Sequence, residues 1–545
     1  MLTETATNKY FFERTKEKTI LKERIKAFAS GFRQNIAIIG RPYIGKTCLI
    51  ESILPDIISQ KIIAVYADVR DEPFDFFCHR FIGSLLYQYL GLKSSSAQKD
   101  DLKGLVKECR RQLPKTVEAA GKIDELVRKK DFDQAYDLLL DLPRFLQSES
   151  GISCAIILEE FNNLPGYKLM SAFSVLGKKI MAQRYTFYIL SSSSVLQARH
   201  ILAEKLQLLF GNFEIIELEE FDFSTSRNFL LDRLSGFNIA EQYAKFLINF
   251  TNGHPFYLDV ITNKLKSLLL QNKKQRVTTE LLETALDEIL FYTSGELYQH
   301  FTNIINVNCR NTNGVDILSI LTLISEGNTR TRDLVSNLNS SSKSINHAIS
   351  DLESAGLIEK IGVFNKIDDS VLRFWLKTVC HKRRVDFTSD PVYRKKAFIS
   401  NLKKASADFT RSSKEDLYEK IVNLFKSFSD DLVEVDQKKY VLPTFADVAA
   451  RVIGENGPYI ICHSKGKNWI CQIRERRVTE KQVLDFIKDA RAGKYKFQRK
   501  VLIVIDGMDD NAKLLAKGAN VWSWNLKTLN TLLDLYGKHK VIKLQ

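Results

Sequence analysis

Residues 35–51 read NIAIIGRPYIGKTCLIE. Within them, Gly40, Arg41, Pro42, Tyr43, Ile44, Gly45, Lys46 and Thr47 fit the pattern G-x-x-x-x-G-K-[ST]. Ile36, Ala37, Ile38 and Ile39 precede the pattern as a buried strand would, and Cys48, Leu49 and Ile50 continue it as a buried helix would. A loop of this kind lets backbone close around phosphate oxygens, because glycine tolerates the turn and the N–H groups converge at a helix N-terminus. Lys46 supplies charge to the outer phosphates, and the Thr47 hydroxyl is a ligand for Mg²⁺. Residues 40–48 are therefore the candidate nucleotide-binding stretch.

Outward from the loop, apolar strands alternate with helical patterns. Residues 10–30 predict an amphipathic helix, 61–70 (KIIAVYADVR) a buried strand, and 74–92 a helix. A polar break at residues 94–96 opens a charged, helix-rich insertion that runs to about Ser148, a lid or partner surface or simply packed helices. Residues 152–160 (ISCAIILEE) predict a strand closing on two acids. At the C-terminal end of a parallel strand such acids reach bound nucleotide, with Glu159 as a metal ligand and Glu160 as the group that orients or deprotonates water. Residues 185–190 and 213–218 predict two more strands, the first running into Ser191–Ser194, which serve as a phosphate sensor or as a plain serine turn. Alternation of this kind over about 220 residues implies a three-layer parallel sheet. From 224 the pattern is helical, interrupted at 251–258 (TNGHPFYL), where Gly253 and Pro255 bracket His254 at a helix start. A helical lid could carry His254 toward phosphate; a structural histidine is the alternative.

A chain of 545 residues implies about three or four domains. With 44% hydrophobic and 27% charged residues the composition is globular, not disordered. No apolar run has the length of a membrane span, and the first residues lack a signal-peptide pattern. Cysteines 48, 78, 109, 154, 309, 380, 462 and 471 are scattered with no C-x-x-C, which fits reduced thiols of a cytoplasmic protein. A net charge of +15 favours an anionic partner, nucleic acid above all, although solvated surface charge gives the same total.

The combination of Phe12-Glu13-Arg14, GRPYIGKT, LEEF at 158–161 and TNGHPFYL resembles the archaeal-type ATPases, a branch of the STAND/AAA-like P-loop NTPases. The resemblance implies ATP and Mg²⁺ as cofactors, Ser192 at the sensor position, and His254 near the γ-phosphate. It also extends beyond residue 270. Residues 315–361 carry a helix–helix–helix–wing pattern, with 331–338 as second helix, 342–355 as recognition helix and a wing at Gly362, followed by 367–375 (IDDSVLRFW). Three departures stand out: Glu159 where the family has Asp, Asn212 where it has Arg, and Ser191 where it has Gly. Each weakens the expectation of fast hydrolysis.

Residues 377–414 hold eleven Lys/Arg against three Asp, with clusters at 381–384 (HKRR) and 394–396 (RKK). Nearby cations on phosphate and a helix in the major groove are how winged helices hold DNA. Residues 414–545 predict a helix, strands at 458–463, 468–473, 500–506 and 520–524, and a final helix at 526–536. This order resembles the Mrr-like restriction-endonuclease fold. That resemblance requires an Asp and then Glu-x-Lys on adjacent strands, and the matching positions are Tyr459 and Gln472-Ile473-Arg474; Glu419 alone matches. Neither Tyr nor Gln supplies the anionic oxygen that Mg²⁺ needs. A migrated site would have to use Glu455, Glu475 or Glu480.

The expectation is an α/β protein: a P-loop NTPase core with a three-layer parallel sheet (1–222), a helical lid (223–305), a winged helix (306–376), a basic linker (377–413), and a restriction-endonuclease-like domain without nuclease chemistry (414–545). It is expected to be a nucleotide-dependent switch and a slow ATPase that engages double-stranded DNA through residues 342–414 and the C-terminal domain. A protein partner or a second copy of the chain is the alternative contact. A non-hydrolysing DNA-binding scaffold and an ATP-regulated nuclease are the alternative functions.

Overall fold

The computed structural model describes residues 12–93, 101–206, 213–308, 316–380, 390–435, 438–452, 458–464, 468–492 and 496–541. The cluster at 381–384, Asn212, Cys309 and Glu455 lie outside them. The chain forms two compact units, Met1–Glu220 and Phe221–Gln545.

In the first unit the order is α1 (Thr15–Ala29), β1 (Asn35–Gly40), α2 (Lys46–Ser59), β2 (Ile63–Asp68) and α3 (Phe74–Leu92). The insertion supplies α4 (Leu102–Cys109), α5 (Pro114–Arg128) and α6 (Phe132–Ser150). Then come β3 (Cys154–Glu159), α7 (Ala172–Ala182), β4 (Thr186–Ser192), α8 (Val195–His200) and β5 (Phe213–Leu218). The strands make one parallel sheet in the order β2-β3-β4-β1-β5. Strands β1, β3 and β4 are buried at every position, as central strands with helices on both faces must be. Side-chain alternation splits them between two cores. Ile36 and Ile38 face α1 and α2 through Leu21, Ile25, Leu49 and Ile53. Ile156, Leu158 and Leu190 face α3 and the insertion through Phe77, Phe81, Ile123 and Leu139. The insertion is thus packed helix in the larger core. Asp101 and Asp131 cap α4 and α6, each accepting a first-turn N–H, which contributes about 1 kcal/mol apiece.

The second unit opens with α9 (Phe223–Arg233), α10 (Glu241–Thr251), α11 (Pro255–Gln271), α12 (Thr279–Leu290) and α13 (Glu296–Asn308). Next are α14 (Ile317–Glu326), α15 (Thr331–Leu338), α16 (Ser342–Ser354) and a hairpin of β6 (Glu359–Ile361) and β7 (Phe364–Lys366), then α17 (Ser370–Trp375). Ile345, Ala348, Ile349 and Leu352 bury one face of α16, and Ser341 caps it.

The stretch expected as a linker contains a 23-residue helix instead, α18 (Pro391–Ser413), capped by Asp390. Phe398, Leu402 and Phe409 are buried along it, and such an apolar stripe is what holds a basic helix in place. Two of its cations are engaged in packing: Lys395 pairs with Asp287 at 3.0 Å and Lys403 with Glu283 at 3.5 Å.

The remainder runs α19 (Leu417–Phe425), a hairpin of β8 (Asp431–Val435) and β9 (Lys438–Leu442), β10 (Asp447–Val452), β11 (Pro458–His463), β12 (Trp469–Arg474), α20 (Glu480–Ala492), β13 (Arg499–Val504), α21 (Asp510–Gly518), β14 (Val521–Asn525) and α22 (Leu526–Leu535). The second sheet has five strands, β10-β11-β12-β13-β14, antiparallel over the first three and parallel over the rest. Strand β10 and the β8–β9 hairpin were not expected from the sequence.

The β6–β7 hairpin is built into this C-terminal region. Val363 N–H donates to Leu432 O at 3.0 Å. A Cβ on Gly362 would lie 2.0 Å from the same carbonyl, and Gly362 has φ +64°, so only glycine fits. Ile361 and Phe364 share a core with Ile421, Phe425 and Val433. Two charged clusters reinforce the junction. Arg330 pairs with Asp431 through two hydrogen bonds of 3.0 and 2.9 Å, and Tyr536 donates to Asp431 at 2.6 Å. Asp534 is held by Lys366 at 2.8 Å and Arg373 at 3.0 Å.

Candidate nucleotide site

Sheet order dictates which side chains meet. Strand β4 lies between β3 and β1, with Ile39 opposite Ser192 and Leu158 opposite Leu190. The loop after β1, the acids after β3 and the serines after β4 therefore converge at one edge, the C-terminal ends of the strands. Backbone approach is close there. A Cβ on Gly40 would lie 2.8 Å from Leu218 O on β5, and Gly45 has φ +102°. Helix α2 starts at Lys46 with no capping side chain and no acid in its first turn, a setting that favours an anion.

Lys46 is 6% exposed. Its Nζ donates to Gly40 O and Arg41 O, both at 2.9 Å, and to Ser193 Oγ at 2.8 Å. Burial pushes its pKa down, while Glu160 and Glu159 push it back. Thr47 Oγ1 donates to Glu159 Oε1 at 3.0 Å, and the Tyr66 hydroxyl on β2 donates to the other oxygen of Glu159. Burial raises the Glu159 carboxyl; the Tyr66 and Thr47 bonds oppose that, and Asp68 and Glu160 add to it. Hydroxyl and carboxylate oxygens so placed suit Mg²⁺. Tyr66 fixes the longer glutamate side chain that stands at this position.

Glu160 lies past the end of β3 in a left-handed turn, φ 51°. Its carboxylate accepts from Ser193 N–H at 2.9 Å and from the Ser193 hydroxyl. Ser193 thus bridges Lys46 and Glu160. Ser192, one residue earlier, is fully buried and donates to Asn162 Oδ1 at 2.6 Å. Sequence reasoning did not single out Ser193, Tyr66 or Asn162; the run of four serines was the signal for the first, and no pattern marked the others.

Arg14 serves the loop directly. It donates to Ile44 O at 3.3 Å and to Glu219 O at 2.5 Å, tying the loop to the end of β5. Arg41 pairs with Glu220 at 3.2 Å, Pro42 and Tyr43 form the exposed crest, and Ile44 is buried beneath it. Cys48 follows on α2, partly buried and in no disulfide. His254 belongs to the second unit, at the N-cap of α11, 9% exposed and beside Tyr257 with ring centroids 4.7 Å apart.

In the C-terminal domain Tyr459 and Gln472 are register partners on β11 and β12. Both are buried, and Tyr459 donates to Asp489 at 2.5 Å. Arg474 ends β12, and Glu419 is exposed on the first turn of α19. Glu475 and Glu480 are exposed. Among the described residues no group of three or more His, Cys, Asp or Glu could hold a metal ion, and no helix is long and apolar enough to cross a membrane.

No protein-family profile and no curated protein matches this chain. Among solved structures it is similar to the Walker-type ATPase of Pyrococcus abyssi, at 15% identity and a TM-score of 0.44, over 67% of this chain and 96% of that one. It is similar to the ORC2 protein of Aeropyrum pernix at 12% identity and a TM-score of 0.41, over 73% and 95%. The ORC1 protein of Aeropyrum pernix, solved in complex with DNA, matches at 13% and 0.37, over 67% and 92%. Likenesses at this level assign no function to this chain. The parallel sheet order and the glycine-rich loop between β1 and α2 are those of a P-loop NTPase.

Proposed function

We propose that this chain binds ATP–Mg²⁺ and acts as a nucleotide-dependent switch that hydrolyses slowly and engages duplex DNA. The observation that carries the reading is the bridge Lys46–Ser193–Glu160 beside Thr47–Glu159, at the C-terminal ends of adjacent parallel strands. Residues 40–48 would cradle the phosphates, and Thr47 and Glu159 would hold Mg²⁺, which when bound neutralises charge between the β- and γ-phosphates. Lys46 leaves its carbonyl partners for phosphate oxygen. Ser193 then loses one of its two charged neighbours and keeps Glu160 through its N–H and hydroxyl, so that this carboxylate would align water. Ser192 orients this turn through Asn162.

Residues 306–376 are read as a winged helix. Ser342, Lys343, Asn346, His347 and Ser350 form an exposed polar face on α16, which suits the recognition role. The β6–β7 wing is committed to Leu432, so DNA contact falls to that helix face and to basic residues beyond it. The order of 414–545, a helix, five strands, then helix–β–helix–β–helix, supports the endonuclease-like reading, and Tyr459, Gln472 and Arg474 support its lack of nuclease chemistry. A protein partner in place of DNA would use the same exposed face.

Phosphate release from ATP, with and without duplex DNA, tests the switch. The expectation is slow turnover that DNA changes. A gel shift at two salt concentrations tests the DNA contact, because phosphate contacts weaken steeply with salt. Absent or salt-insensitive binding would remove it.

A further inference from the structure

A cavity of about 600 Å³ lies wholly within the second unit, between the end of α18, the middle of α19 and the turn after α22. Its size is in the range of small-ligand sites, about 300–1,000 Å³. Arg411 and Lys414 enter from α18 and its C-cap, Lys420 from α19, and Lys538 and His539 from the turn. The two lining carboxylates are already engaged: Asp408 pairs with Arg411, and Glu415 accepts from Asn423 Nδ2 at 3.1 Å. Among the described residues Lys414, Lys420 and Lys538 have no ion pair. With His539 neutral, four cations against two acids leave a charge of +2 around the cavity.

The Lys420 ammonium is the telling group. Burial lowers its pKa, and Glu415 only partly offsets that. His539 is lowered too, by burial first and then by Lys420, and less by Arg411, against Asp408 and Glu415. A solvated basic surface has neither a concave form nor cations that lose hydration. An anion at this place would restore what burial removes from Lys420 and would accept charge-assisted hydrogen bonds from Lys414 and Lys538 at the rim.

We propose that this cavity is a second anion site that takes a phosphate ester, held by Lys420 at its wall and by Lys414 and Lys538 at its mouth. The ester is either a small phosphorylated molecule or a backbone phosphate of nucleic acid; the chemistry recognised is the same. The proposal stands apart from the nucleotide site, which lies in the other unit.

The test uses the full chain carrying Lys46→Ala, so that the glycine-rich loop contributes least, with inorganic pyrophosphate as probe in a calorimetric titration at low salt. Binding is expected, weakened about tenfold or more by Lys420→Ala combined with Lys538→Ala, as the loss of two charge-assisted contacts implies. Lys420→Arg should bind within about threefold of its parent, since the charge is kept. Lys538→Glu, at the exposed rim, should also weaken binding about tenfold without touching the core. Saturating duplex DNA distinguishes the sources: displacement of pyrophosphate assigns the site to nucleic-acid backbone, and simultaneous binding assigns it to a small ester. No pyrophosphate binding by the Lys46→Ala chain would overturn the proposal. So would unchanged affinity in Lys538→Glu with an unchanged unfolding temperature.

Discussion

Replacing Asp534 by Asn should loosen the C-terminal half of the second unit. Asp534 is 9% exposed and is held by Lys366 at 2.8 Å, itself 7% exposed, and by Arg373 at 3.0 Å. Burial alone would push the Asp534 carboxyl up, but Arg373, Lys366 and Lys540 outweigh it and hold it well below the usual carboxylate range. Asparagine keeps the shape and removes the charge, leaving Arg373 without this partner and the Lys366 ammonium with Asp368 alone of its two paired carboxylates, in a site that already lowers the Lys366 pKa by burial. Breaking a buried pair from one side costs about 3–5 kcal/mol. At about 2–4 °C per kcal/mol for a domain of this size, the corresponding calorimetric transition should fall by roughly 6–20 °C. The pH dependence follows from the direction of the shift. A depressed carboxylate contributes stability that is full above its unfolded pKa, about 3.9, and is lost as pH falls through the folded value. Parent and variant should therefore converge in acid and differ most near neutrality. A shift under about 2 °C at pH 7, or a gap that widens on acidification, would show that the cluster does not fasten α22 to β7 and α17.

Three further outcomes follow from the same geometry. Glu160→Gln should bind ATP like the parent and lose about a hundredfold or more in phosphate release, because only the step that needs a base is removed. Ser193→Ala removes the bridge between Lys46 and Glu160 and should lower turnover roughly tenfold, with nucleotide affinity unchanged or improved, as a stopped binding titration and a phosphate assay would show. Gly362→Ala should destabilise the second unit by at least about 1–3 kcal/mol from the left-handed backbone alone, with the Leu432 carbonyl clash added, measured by thermal unfolding.

Much of the first unit was legible because its signals are local. The run Ile36–Ile39 and the glycine pattern place β1, the loop and α2 almost to the residue, and full burial on both faces explains the unbroken apolar runs of β3 and β4. Which serine reaches Lys46 was not legible. It depends on β4 lying between β1 and β3, a pairing that no single strand encodes. Tyr66 was hidden for the same reason: its hydroxyl meets Glu159 only because β2 borders β3. In the second unit, α18 reads as linker because six cations mask the buried stripe Phe398, Leu402 and Phe409. The β8–β9 hairpin alternates buried and exposed residues over five-residue strands, a pattern too short to separate from loop. The engagement of Gly362 with Leu432 is a contact between segments distant in sequence, visible only in three dimensions.

The central claim is that the loop at residues 40–47 binds nucleotide through Lys46. Equilibrium binding of a fluorescent ATP analogue with Mg²⁺, compared between the parent chain and Lys46→Ala, tests it most directly. The account predicts saturable binding by the parent and its loss in the variant, with both chains unfolding at the same temperature. Equal affinity in the two chains would contradict it.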